Sequence, residues 1–226
     1  KKNLLLWSEQ GIGDQILFIR FIINLKPFVN DLFINIDRRL HKIIERIYPK
    51  VNFLIKNNLN KNYNINAQMS LGDLGSLFVK DNSDLIKSNY SYLASDFYLT
   101  KQLKNKLKTK NKYICGISWI SKNDDIGVNK SISLEILKPI LLIKNIEFLD
   151  IQYNDTSFER DKFNRENGIK ISKVESIDNF NDLNGLTSLI DICDFVITVS
   201  NTNAHISGAL GKKTYLLLPK GKGKLW

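Results

Sequence analysis

The sequence predicts an α/β protein made of two successive halves, each a parallel sheet with helices between its strands. Three observations carry this. Short apolar runs of strand length alternate with helix-length stretches, as in residues 3–7, 31–36 and 51–55 around the stretches from Asp14 and Arg38. Strand, helix, strand, helix, strand at this spacing is the pattern of a parallel sheet. After a lysine-rich segment at 100–112, the same alternation starts again.

In the first half, Asn3 to Trp7 reads as a buried strand. The polar turn 8–14 (SEQGIGD) then leads into a helix from about Asp14 to Leu25, with Pro27 marking its exit. Asp31 to Ile36 is the second strand, Arg38–Ile47 a helix stopped before Pro49, and 51–55 the third strand. Lys56 to Asn66 is polar and Asn-rich, which predicts a loop. Residues 67–79 have poor periodicity and predict no defined element. The basic segment 100–112 predicts a mostly solvated helix and the domain boundary, dividing residues 1–108 from 109–226.

In the second half, Tyr113 to Trp119 is a buried strand. Ser133 to Leu142 is a helix, with Ser131 or Ser133 as its cap beside Glu135, and Ile146 to Gln152 is the next strand. Ile169 to Val174 predicts a short strand. Leu186 to Cys193 predicts a helix, Phe195 to Ser200 a buried strand, Thr202 to Leu210 a helix, and Lys213 to Leu218 a last strand closed by Pro219.

Composition narrows the function classes. With 43% hydrophobic and 25% charged residues, the 226-residue chain can bury an extensive core, which excludes disorder along its whole length. Apolar runs such as Ile140–Ile143 and Tyr215–Leu218 fall far short of the roughly 20 residues that span a bilayer. Ser8-Glu9-Gln10 ends the Leu4–Trp7 run too early for an export signal. A soluble, cytoplasmic protein is expected, at most peripheral to the inner membrane. Cys115 and Cys193 lie in apolar stretches, and His41 and His205 are far apart, so neither a disulfide scaffold nor a metal site is expected.

The net charge of +10 is uneven: residues 1–110 carry 18 basic and 9 acidic side chains. That field favours an anionic partner for the first half. Only 6 of the 33 basic residues are Arg, and aromatics are not interleaved with basic clusters, so direct nucleic-acid binding is not expected.

Two turns hold the residues that suit chemistry. In Glu9-Gln10-Gly11-Ile12-Gly13-Asp14, Gly11 and Gly13 allow a tight strand-to-helix turn, and the helix start offers N–H groups to an anion. A third glycine and a Walker lysine are lacking, so neither a nicotinamide cofactor nor P-loop chemistry follows. Asp14 either caps this helix or faces an acceptor hydroxyl as a general base. In Ser200-Asn201-Thr202-Asn203-Ala204-His205, hydroxyl and amide side chains occupy another strand-to-helix turn, a phosphate-binding arrangement. His205 either donates to phosphate or sugar, or serves structure. Lys130, Ser131 and Pro219-Lys220-Gly221 also follow strand ends, where Lys130, Lys220 and the Gly221 backbone can surround a diphosphate.

The segments LLWSEQGIGDQILFIRF, GISW with KSISLEIL, FLDIQYND and LNGLTSLIDICDFVITVSNTNAHISGALGKKTYLLLPKGKGKLW resemble the glycosyltransferase 9 or ADP-heptose:lipopolysaccharide heptosyltransferase superfamily. The likeness is greatest to the group often attached to tetratricopeptide repeats. It covers nearly the whole chain, strongest from Gly185 to Trp226 and weakest from about Lys56 to Lys112. The resemblance implies two Rossmann-like domains of the GT-B arrangement, the first holding a glycan, lipid-linked or protein acceptor, the second a nucleotide-sugar donor. It makes Asp14 the base and Glu9, Gln10, Gly11 and Gly13 its acceptor-side surroundings. Lys130, Ser131, Gln152, Tyr153, Ser200, Thr202, Asn203, His205, Lys220 and Gly221 are then the donor side. It implies a metal-independent reaction without cofactor, the nucleotide-diphosphate sugar being substrate, and it favours inversion over retention at the anomeric carbon, between which the residues themselves do not decide. Two departures stand out: no tetratricopeptide period occurs here, placing any such repeats outside this chain, and family members continue past the GKGKLW-like segment, so this chain is expected to be a fragment truncated at its C-terminal end, a naturally short member, or a degenerate one of impaired activity. The rival expectations are a noncatalytic nucleotide- or carbohydrate-binding module and an epimerase-like nucleotide-sugar enzyme.

Overall fold

The computed structural model describes residues 1–54, 63–81, 83–84, 91–107, 111–122 and 127–220. The chain forms two compact units, Lys1–Ala94 and Ser95–Trp226. Each is an α/β layer with its own parallel sheet.

In the first unit the strands are β1 (Lys2–Trp7), β2 (Val29–Asn35), β3 (Val51–Phe53) and β4 (Ala67–Ser70), in the order β3-β2-β1-β4. The register pairs Leu6 with Ile34 on one side and Met69 on the other, and the side chains of Leu6 and Ile34 are fully buried. The single helix expected from Asp14 to Leu25 is two pieces, α1 (Ile12–Ile19) and α2 (Ile22–Leu25). The Phe21 N–H bonds back three residues to the Phe18 carbonyl, tightening the chain between them. Ile16, Ile19, Ile22 and Leu25, spaced by three, keep one buried stripe across the break. A 3-10 turn at Arg38–Leu40, capped by the Asp37 carboxylate on the Arg39 N–H, leads into α3 (His41–Ile47). Residues 67–79, where no element was expected, hold β4 and α4 (Leu74–Phe78). Among the described residues β4 pairs with β1 alone, and of its four residues just Ser70 is buried, so it left little apolar pattern to read. The loop expected at 56–66 lies largely outside the described residues.

The second unit opens with α5 (Phe97–Leu107), which packs against α9 (Leu183–Ile192) and buries Leu103. This helix belongs to the second compact unit, which starts at Ser95. The strands are β5 (Tyr113–Ser118), β6 (Ile146–Asp150), β7 (Phe195–Val199) and β8 (Thr214–Leu217), in the order β6-β5-β7-β8. Along β5 all residues from Ile114 to Ser118 are buried, as a central strand covered on both faces requires. Cys115, Ile117 and Trp119 point to one face and join Leu134, Leu137 and Leu141 of α7 (Leu134–Leu141) and Phe163 of α8 (Ser157–Asn167) in one core. On the other face, a Cβ on Gly116 would lie 3.1 Å from Cys193 Sγ, so only hydrogen fits without adjustment.

Two expectations change here. The strand expected at 169–174 is a single parallel bridge, Leu149 with Ser172, beside β6. Helix α8 was not anticipated: it buries only Phe163 among polar residues and ends at Gly168, whose φ of 67° is the left-handed conformation glycine adopts freely. Counting the bridge, both units share the spatial order third, second, first, fourth. In such sheets the connections diverge beside the first strand, opening a crevice at the carboxyl ends of β1 and β4, and of β5 and β7.

Candidate active site

In the first unit the turn Ser8–Gly11 lies at that crevice. Gly11 is the N-cap of α1 with φ −64° and ψ 166°, angles open to any residue, so the turn itself does not require glycine there. Space does not require it either, because a Cβ at Gly11 would sit 3.6 Å from Asp14 Oδ2, an ordinary van der Waals contact. Gly11 has no side chain to cap with, and Asp14 stands half-buried in the first turn, where the helix dipole favours a negative charge. Gln15, which sequence reasoning missed, is buried and holds the turn from below. Its Nε2 donates to the Gln10 carbonyl at 2.9 Å, and its Oε1 accepts the Asp37 N–H at 3.0 Å. Ser8, Glu9, Gln10, Gln15, Phe18, Leu71 and Gly72 line a shallow hollow at the ends of β1 and β4. A Cβ on Gly72 would come within 2.8 Å of Glu9 Oε1, so the bare glycine lets this carboxylate lie over it.

In the second unit, parallel strands bring Ser118–Lys122, Gln152–Tyr153, Ser200–His205 and Lys220 to one edge of the sheet. Gln152 is fully buried. Its Oε1 accepts the Ser118 hydroxyl at 2.8 Å and the N–H groups of Trp119 at 3.0 Å and Ile120 at 2.9 Å. Its Nε2 donates to the carbonyls of Ile120 and Tyr153, both at 3.2 Å. Asn201, the N-cap of α10 (Thr202–Ala209), accepts the Asn203 N–H at 3.0 Å. Its Nδ2 donates to Ser118 Oγ at 2.8 Å and the Ile120 carbonyl at 3.2 Å. An Asn directly before a helix is a readable cap, so this role was available from sequence.

The expected donor-side residues divide into two groups. Asn203 is fully buried and turns inward, Nδ2 donating to the Ile151 carbonyl at 2.9 Å. Ser131 Oγ accepts the Ser121 N–H at 2.9 Å and donates to the Gly127 carbonyl at 2.7 Å, while Ser133 caps α7. Ser200 is buried too. These side chains shape loops. Thr202 and His205, half-buried in the first turn of α10, lie nearer the surface, as do half-buried Lys130, closing α6 (Gly127–Lys130), and exposed Lys220 after β8. Gly221 lies outside the described residues. Tyr153 is half-buried; its hydroxyl accepts the Lys122 N–H at 2.6 Å, and its ring lies 6.5 Å from that of exposed Phe180. Burial pushes the Tyr153 phenol above its ordinary range, opposed by the bonds from Lys122 and Ser121.

Beneath this edge lies a charged cluster that the sequence did not reveal. Asp150 ends β6 and is fully buried. Its Oδ2 accepts the Thr156 hydroxyl and pairs with Arg160 Nε at 3.1 Å and Lys173 Nζ at 3.5 Å. Burial pushes its acid upward, and Thr156, Lys173 and Arg160 pull it back. Among the described residues no group of three His, Cys, Asp or Glu side chains is placed to hold a metal ion, and no helix is long and apolar enough to cross a membrane.

Comparison with known proteins places this architecture. The chain aligns over 98% of its length with the structure of glycosyl transferase family 9 from Veillonella parvula, at a TM-score of 0.71 and 12% identity, covering 82% of that chain. The chain has the glycosyltransferase 9 fold. It likewise aligns with E. coli heptosyltransferase WaaC bound to ADP-2-deoxy-2-fluoro heptose over 99% of this chain and 90% of that one, at TM-score 0.62 and 12% identity. The match to E. coli ADP-heptose lps heptosyltransferase II has TM-score 0.61 at 10% identity, covering 95% and 84% of the two chains. In sequence, the chain is 24% identical over 235 residues to Protein FlbA of Caulobacter vibrioides, spanning 96% of this chain but only 39% of that protein. No protein-family model matches the chain.

Proposed function

We propose that the chain is a glycosyltransferase that moves a sugar from a nucleotide-diphosphate sugar to a glycan, lipid-linked or protein acceptor. The observation that carries this reading is the glycosyltransferase 9 fold over nearly the whole chain, together with a carboxylate, Asp14, on the first helical turn beside a strand-end crevice. The first unit takes the acceptor, and its basic character suits an anionic one. The second unit takes the donor on the edge formed by β5, β6 and β7, and the solved neighbour holding an ADP-heptose analogue makes ADP-sugars the first donors to try.

In this reaction the acceptor oxygen attacks the anomeric carbon as the bond from that carbon to the diphosphate oxygen breaks. Asp14 takes the acceptor proton, and the nucleoside diphosphate leaves with the bonding pair. The helix start at Thr202, with His205, Lys130 and Lys220, offers positive charge and N–H dipoles to that leaving group, so no metal or other cofactor is required for charge stabilisation.

The test uses labelled nucleotide sugars with separate lipid-linked glycan, polysaccharide and protein acceptor fractions, comparing wild type with Asp14→Asn. Transfer falls at least about 100-fold in the variant while nucleotide affinity is unchanged. Transfer at the wild-type rate by Asp14→Asn removes Asp14 as base. Release of an altered free sugar nucleotide without acceptor makes the protein an epimerase-like enzyme instead.

A further inference from the structure

The polar atoms beneath the second unit's strand ends form one continuous chain of hydrogen bonds. It begins at the Asp150 carboxylate, one oxygen of which is held by Thr156, Arg160 and Lys173. The other oxygen, Oδ1, accepts the Gln152 N–H at 2.7 Å. Asn179, 5% exposed, clamps the same two residues by donating from Nδ2 to the carbonyls of Asp150 at 3.3 Å and Gln152 at 3.1 Å. The Gln152 amide fixes Ser118, Trp119 and Ile120, and Ser118 and Ile120 in turn accept from Asn201, whose Oδ1 holds the Asn203 N–H. Gln152 has no exposed surface, and its side-chain oxygen and nitrogen make five hydrogen bonds to its own fold. A group so engaged offers nothing to a ligand. Carrying an ion cluster and an amide to the end of a parallel strand is costly unless all partners are in place.

We infer that Asp150 and Gln152 are positioning residues: they set the turn after β5 and, through Asn201, the first turn of α10, and so the geometry in which the second unit receives a diphosphate. Asp150 anchors the backbone of Gln152, and Gln152 transmits that position across the sheet from β6 to β5 and β7. The inference rests on the donor-site reading for its consequence in binding, but not for its structural content.

Two measurements separate those parts. Without ligand, amide hydrogen exchange is compared in wild type, Asp150→Asn, Gln152→Met and, as a buried control off the chain of bonds, Thr187→Val. Losing one link of about 1.4 kcal/mol corresponds to tenfold faster exchange. The Asn203 N–H therefore exchanges about tenfold faster in Gln152→Met, while amides of β1 and β2 keep their wild-type rates and Thr187→Val leaves Asn203 unchanged. Asn203 protection that survives in Gln152→Met overturns the relay whatever the protein binds. The second measurement is ADP affinity in Gln152→Met, Asn201→Ala and the double variant, at a temperature where circular dichroism shows all three folded. Since both residues act through one path, the double variant binds no more weakly than the poorer single one, whereas multiplying losses contradict the coupling. Should wild type bind no ADP, GDP or UDP, the donor-site reading fails, and the exchange result still decides the relay. If Gln152→Met does not fold, Asp150→Asn is read by the same Asn203 exchange, with the same two outcomes.

Discussion

Asn201 carries two separable duties, and a pair of substitutions tells them apart. Asn201→Ala removes the cap on the Asn203 N–H, which costs about 1 kcal/mol at a typical N-cap, together with the bond that the same Oδ1 accepts from the Thr198 hydroxyl at 3.1 Å, a hydroxyl that keeps its 2.9 Å bond to the Val199 carbonyl. It also removes the Nδ2 donor shared between Ser118 Oγ and the Ile120 carbonyl. Both acceptors keep a bond to Gln152, so this second loss is set at about 1 kcal/mol, an ordinary net hydrogen bond, without an added penalty for an orphaned buried group. The total is about 2 kcal/mol. Asn201→Ser keeps a hydroxyl able to cap and loses only the cross-strand bonds, so its cost is about half as large. The assay is urea unfolding of the second unit, followed by the fluorescence of buried Trp119 in a background where Trp7 and Trp226 are phenylalanine. With a slope of about 2 kcal/mol per molar urea, the midpoint falls by about 1 M for Ala and about 0.5 M for Ser. Equal shifts for the two variants refute the capping role, and a Ser variant at the wild-type midpoint refutes the cross-strand bonds.

Other outcomes follow from single features. A Cβ on Gly127 would meet the Ser121 carbonyl oxygen at 2.4 Å, so Gly127→Ala displaces the backbone after β5; its cost is about 1–3 kcal/mol by thermal melting, and a neutral result contradicts the packing. Ile117→Ala, in the fully covered centre of β5, costs about 2–5 kcal/mol in the same assay. His41 stacks 4.1 Å from Phe53, and burial holds its pKa below 6.5, so the native state resists its protonation. The unfolded chain then binds the extra proton: the stability His41 confers is full above pH 6.5 and declines as pH falls from there towards the lowered native value. His41→Phe lacks that part of the decline, and a pH profile identical to wild type contradicts it. Burial pushes the Cys193 thiol up to about 12 and raises Cys115 as well, so neither reacts with a thiol reagent at neutral pH until the second unit unfolds.

Legibility in the sequence followed continuous apolar runs, which also marked β3 and β8 although neither strand has a buried residue. β1, β5 and β7 stood out because a central parallel strand is apolar on both faces, while β4 and α8, with a single fully buried residue each, gave no period to detect. The rule that ligands gather at strand ends made the GIGD turn and the Ser200–His205 turn visible, since both are polar segments directly after apolar runs. What sequence did not convey is direction. Nothing in the string separates an asparagine turned inward, as Asn203 is, from a neighbour such as Thr202 near the surface. Gln15 and Asp150 were missed for a related reason: each is a polar residue whose partners, Asp37 in one case, Arg160 and Lys173 in the other, are remote in sequence and meet it only once the chain is folded.

The measurement that bears most directly on the proposed donor site is calorimetric titration of the folded chain with ADP, GDP, UDP and CMP, with and without magnesium, repeated for His205→Ala. The account predicts selective binding to one nucleotide, equal in the two conditions and weaker in the variant. Absence of binding to all four by a chain whose circular dichroism and melting show it folded contradicts it.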